Sequence, residues 1–77
     1  MNELDFRPKT KGVPARLIRV GQVVMESYEH PCKVVEINDN PVSKYRIISA
    51  RYVWQRDSEP PWRLGTFHPE ALLERAI

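Results

Sequence analysis

His30, Cys32 and His68 are the side chains in this sequence best suited to ligating a transition metal. Zinc sites repeat Cys and His at short, regular intervals, and His30-x-Cys32 is not such an interval; no second cysteine exists to complete a pair. No metal and no cofactor is therefore expected, and Cys32 reads as a small buried hydrophobe. Nucleophilic catalysis fares no better. The proline bend at Pro31 separates Cys32 from His30, and no serine has a recognisable base partner. Glu26 and Glu36 can oppose each other across a hairpin, but like charges held opposite destabilise a sheet pair, so they read as an acidic surface patch. The chain reads as a non-enzyme.

The remaining chemistry is basic and aromatic. Tyr45, Arg46, Arg51, Tyr52, Trp54, Arg56, Trp62 and Arg63 are interleaved over 19 positions, from 45 to 63. Guanidinium groups bond phosphates, and aromatic rings stack on unpaired bases. Charge is distributed in blocks. Residues 1–19 carry +3, 20–43 carry −3, 44–63 carry +3 and the remainder −1, for the net +2. Such a dipolar surface steers a polyanion to one side. The candidate nucleic-acid-binding residues are Arg46, Arg51, Trp54, Arg56, Trp62 and Arg63, joined by Lys9 and Lys11 from a basic arm. RNA, or a ribosomal surface, is the favoured partner. The alternative is a protein-interaction or adaptor module of a larger cellular or viral assembly, docking through the Trp62, Pro60 and Pro61 region, since Trp is enriched at binding hot spots, or through an exposed barrel edge.

These residues need a scaffold, and 77 residues make one small domain. A chain of this size buries only about 60% of the surface its unfolded form exposes, leaving little room for a deep pocket. Three glycines and seven prolines favour turns and short strands. No apolar run reaches the roughly 20 residues that span a bilayer. The first residues lack a signal-peptide core, and a lone cysteine forms no internal disulfide, which suits the cytoplasm.

The chain then divides into a flexible basic arm, residues 1–14, and a β-barrel, residues 15–77. Only Leu4 and Phe6 are candidates for docking the arm. Gln22–Glu26 and Cys32–Asn38 are β-rich runs around a turn at Ser27–His30, with Pro31 tolerated at a strand start. Asp39-Asn40-Pro41 is a strong turn signal. Lys44–Gln55 is the longest strand, and its mixed apolar phase implies a bulge near Ser49-Ala50. Trp62–Phe67 is the next strand. Pro69–Leu72 reads as one helical turn before a closing strand, Leu73–Ile77, with a terminal helix the other possibility. The expected core is Leu17, Val20, Val23, Val34, Val35, Ile37, Ile48, Val53, Phe67 and Leu72.

Leu17–Ile37, L-I-R-V-G-Q-V-V-M-E-S-Y-E-H-P-C-K-V-V-E-I, resembles the N-terminal domain of translation elongation factor P, and more closely that of its hypusine-bearing eukaryotic and archaeal counterpart. The shared pattern is a Gly, two valine-like residues, a short turn and P-C-K-[VI]-V-E. The resemblance implies an SH3-like barrel of the KOW type; together with the hairpin pattern, the regular turn signals and the Pro69–Leu72 reading, the expectation is an all-β fold, a small five-stranded SH3-like barrel with a short C-terminal helical turn. It covers 21 of the 77 residues. The family's modified lysine lies on a Gly-rich loop. Here that stretch is N-D-N-P-V-S-K-Y, without glycine, so Lys44 is not expected to carry the modification.

Overall fold

The computed structural model describes residues 9–27 and 30–77. Leu4, Phe6 and most of the arm lie outside the described residues. The fold is all-β. Among the described residues six strands, β1 (Thr10–Pro14), β2 (Val23–Met25), β3 (Pro31–Asp39), β4 (Arg46–Tyr52), β5 (Trp62–Phe67) and β6 (Leu72–Ala76), form one antiparallel sheet in the order β1-β6-β2-β3-β4-β5. The expected five-stranded closed barrel is thus corrected twice. There is a sixth strand, and the two end strands, β1 and β5, are not paired with each other.

The additional strand comes from residues assigned to the arm. Thr10–Pro14 pairs along its whole length with β6, and Ile77 N–H extends the ladder to Lys9 O at 2.8 Å. Gly12 and Pro14 hide the strand in the sequence, yet both are tolerated there. Proline is harmless at the end of an edge strand, where its missing N–H breaks no ladder bond. Val13 supplies the burial that holds β1 down, at 4% exposure.

The first hairpin follows the sequence reading. Val24 opposes Cys32, and Glu26 N–H closes the turn on His30 O at 3.0 Å. Gly21, at φ +95°, precedes it in a left-handed conformation that only glycine adopts without strain. The 40–45 turn is built by Asn40, whose Oδ1 accepts the N–H groups of Val42 and Ser43 at 2.9 and 3.0 Å. Lys44 there has φ +67°.

The irregularity expected at Ser49-Ala50 is present, but on the flanking strands. Val35 is the extra residue of β3 between Val34↔Ala50 and Glu36↔Ser49. Leu64 is the extra residue of β5 between Arg63↔Ser49 and Gly65↔Ile48. β4 itself keeps its period of two and runs only from Arg46 to Tyr52, shorter than Lys44–Gln55. Two bulges facing one point of β4 add twist and bend there.

The core comprises Val13, Ile18, Val24, Val34 and Ile48, with Ile37, Leu64, Phe67 and Leu73 packed against it. Ala15, Cys32 and Ala50 are also buried. Val34, Ile37, Ile48 and Phe67 are where the sequence puts them; Val23 and Val35 are only half-buried. Leu17, Val20, Val53 and Leu72 are exposed, at 44%, 60%, 50% and 70%. Their neighbours Ile18 and Leu73 point inward instead, because choosing the wrong residue of an adjacent pair reverses the facing of a strand or a short turn. The C-terminal segment is a tight turn, Ala71 N–H to His68 O at 2.9 Å, followed by β6, not a helical turn. Among the described residues, the helical geometry that does occur is one 3-10 turn at Ala15–Leu17.

Candidate nucleic-acid interface

The pleat divides the basic and aromatic residues that the sequence interleaves. Neighbouring residues of a strand point to opposite faces, so Arg51 cannot share a face with Tyr52, nor Trp62 with Arg63. Tyr52 pairs with buried Cys32, and Trp62 with buried Ala50, which places both aromatics on the core side. Arg51 pairs with Lys33, and Arg63 with Ser49, which in turn faces Glu36, on the outer side of β3-β4-β5. Lys33, Arg51 and Arg63 therefore form a basic outer face, with Glu36 among them and bonded by Asn38 Nδ2 at 2.6 Å. Lys33 was not among the residues picked from the sequence. Its signal is the strand register, which no linear spacing reveals.

Each cation has a distinct environment. Arg51 Nε donates to Glu59 O and so anchors the 53–61 loop. Lys33, Arg56 and Arg63 are exposed and make no ion pair among the described residues. Lys33 and Arg51 are directly opposite each other, and like charges so placed repel. An anion seated on this face relieves that repulsion.

Arg46 is not part of the face. It lies at the far end of β4, with its side chain 16% exposed, and two of its three guanidinium nitrogens are engaged. Nε donates to Asp39 Oδ1 at 2.7 Å, and one terminal nitrogen donates to the carbonyls of Ala15 and Ile18 at 2.7 and 2.9 Å. It fastens the 3-10 turn to the sheet. Lys9 and Lys11 belong to the β1 end, four strand spacings and about 19 Å from β4 along the sheet.

Tyr52, Trp54 and Trp62 form one cluster with His30 at the end of β4. Tyr52 and Trp54 stack at 4.6 Å with their planes 5° apart. His30 meets both edge-on at 5.9 and 5.7 Å, and Trp62 leans on Tyr52 at 4.9 Å and 44°. Trp62 Nε1 donates to Gln55 Oε1 at 2.9 Å, and Gln55 Nε2 to Glu59 Oε2 at 2.9 Å. Trp62 is thus half-buried and structural. Trp54 is 61% exposed, a ring backed by Tyr52 and open to solvent, on the same loop as Arg56.

Under the cluster lies Glu26, with its side chain 8% exposed. Its Oε1 accepts His30 N–H at 3.0 Å and faces His30 Nδ1 at 3.2 Å. Burial first, and this carboxylate second, push the Cys32 thiol up to about 11. Its Sγ lies 3.4 Å from His30 O, in position to donate to it. Burial, then Glu26, also raises the Tyr52 phenol. A thiol so protonated is a poor nucleophile and a poor metal ligand. His68 lies apart, edge-on to Tyr45 at 5.6 Å with Nδ1 accepting Glu70 N–H. Among the described residues, no three His, Cys, Asp or Glu side chains converge as a metal site. No helix among them is long and apolar enough to cross a membrane.

The chain matches no family model, no curated protein and no solved structure.

Proposed function

We propose that this is a non-catalytic module that binds single-stranded nucleic acid, RNA in preference, on the outer face of β3-β4-β5. The observation that carries this reading is the direct opposition of Lys33 and Arg51 beside Arg63, with Lys33 and Arg63 making no ion pair among the described residues. Two cations held opposite each other cost stability unless an anion lies between them, and a phosphate backbone supplies such anions in series. Trp54 and Arg56 lie on the loop after β4; Trp54, stacked on Tyr52 at the end of the strand and not on the outer face itself, offers its exposed ring to a base that runs past the sheet end, and Arg56 a further phosphate contact. The resemblance of Leu17–Ile37 to an SH3-like domain of a ribosome-binding factor supports the choice of RNA, with the sheet here left open between β1 and β5.

Fluorescence anisotropy with a short labelled uridine oligonucleotide tests it. Affinity should fall steeply between about 50 and 200 mM salt, with a log–log slope near −0.7 for each phosphate contacted. Trp54→Ala should weaken binding by about 1–3 kcal/mol while leaving the unfolding midpoint nearly unchanged. Absence of any binding at low salt would remove this function.

A further inference from the structure

The far end of β4 carries a second concentration of cations, apart from the outer face. A concavity of about 350 Å³ opens where the 3-10 turn, the 39–46 hairpin and Pro69 meet. Its ionisable lining residues are Arg16, Lys44 and Arg46, against the single carboxylate of Asp39. Glu70, bonded to Arg16, is the second carboxylate, so three cations stand against two anions. The surplus charge is that of Lys44, which makes no ion pair among the described residues. Arg16 reaches Glu70 through Nε alone, at 2.9 Å, and neither of its terminal nitrogens has a partner among the described residues. A guanidinium bonded in this way keeps a pair of N–H groups for a second oxyanion.

The segments that carry these groups are pinned. Arg16 N–H donates to Pro69 O at 2.9 Å, and Lys44 N–H to Asn40 O at 2.8 Å. Arg46 ties the hairpin to the carbonyl of Ala15, next to Arg16, at 2.7 Å. Donors already held in place need little ordering when a ligand arrives. Lys44 is also in an unusual conformation. Its φ of +67° is in the left-handed region, where glycine is unstrained and a lysine is not. The turn requires that backbone angle and makes no use of an ammonium; the concavity does. Strained positions of this kind gather at ligand sites. We infer that this concavity binds a phosphate monoester, bridged between the terminal nitrogens of Arg16 and the ammonium of Lys44, with Arg46 as the strut that holds their two segments together. A monoester suits it better than a diester. It has three unesterified oxygens to share between donors on two segments, and its double charge strengthens the attraction of the surplus cation. The site is independent of the nucleic-acid reading, because it shares no residue with the outer face of Lys33, Arg51 and Arg63.

Methyl phosphate and dimethyl phosphate are titrated separately into the 15N-labelled protein, at constant ionic strength and about pH 7.5, where the monoester is chiefly a dianion. Methyl phosphate should give saturable shifts in the Arg16 Nε–H and in the backbone amides of Lys44 and Tyr45. Dimethyl phosphate, which stands in for a nucleic-acid backbone, should bind about tenfold more weakly or worse. Lys44→Gly removes the ammonium and relieves the backbone, so it should abolish saturation while leaving the unfolding midpoint unchanged or raised. Lys44→Arg should retain binding within severalfold, and Arg16→Gln should lose it. Four results would overturn the inference: no saturation by tens of millimolar methyl phosphate, equal binding of the diester, unchanged affinity in Lys44→Gly, or shifts confined to Lys33, Arg51 and Arg63.

Discussion

Arg46 shows how a residue type misleads when its neighbours in space are unknown. A guanidinium beside aromatics reads as a phosphate ligand, yet here it satisfies two carbonyls and a carboxylate. Asp39 is 59% exposed, so that pair contributes little by itself. The carbonyls of Ala15 and Ile18 matter more. Arg46→Ala should lower the unfolding free energy by about 2–3 kcal/mol in a urea titration, with no change in oligonucleotide affinity at a temperature where the fold persists. Arg46→Lys should recover only part of this, because an ammonium lacks the planar fork. The thiol of Cys32 gives a second outcome at this scale. Its native form should resist alkylation at pH 8 and react at the rate of unfolding. Its raised folded value means that the unfolded chain loses the proton first. The linked contribution to stability is therefore constant below the ordinary 9.0 and declines as pH rises from there to about 11.

At the scale of elements, the strands were legible where β-branched runs were bounded by turn residues. Val23–Met25, Pro31–Asp39 and Trp62–Phe67 are close to the runs that pattern alone marks out. β1 was not legible, since its single buried residue, Val13, carries no periodicity and its place is set by pairing with β6 at the other end of the chain, Val13 opposite Leu73. Nor was facing fully legible. The bulge at Val35 shifts the phase of β3 in mid-strand, so Val34 and Ile37 both point inward although they are an odd number of residues apart. Substitutions resolve this. Val34→Ala, at 1% exposure, should cost about 1–3 kcal/mol, whereas Val20→Ala, at 60%, should remain within about 0.5 kcal/mol. The candidate site was half legible for the same reason. Arg51, Arg56, Arg63 and Trp54 could be picked by type, but the separation of Arg51 from Tyr52 and of Trp62 from Arg63 follows from the pleat, and Lys33 enters through register with β4.

Over the whole molecule, charge is sorted by location. The outer side of β3-β4-β5 is basic, Arg16 and Lys44 gather about the concavity at the far end of β4, and Arg46 and Trp62 hold the ends of the structure together. Trp62→Ala should therefore affect stability before it affects binding, losing the Gln55 bond and the Tyr52 contact for a cost of about 2–4 kcal/mol.

The salt dependence of binding tests the basic face most directly. Wild-type protein and the double variant Lys33→Ala/Arg63→Ala, both checked for unchanged unfolding, are titrated with the same single-stranded oligonucleotide across a series of salt concentrations. The double variant should bind more weakly at low salt, with a log–log slope flatter by about 1–1.5, the loss of two phosphate contacts. A slope identical to that of the wild type would contradict the assignment of this face.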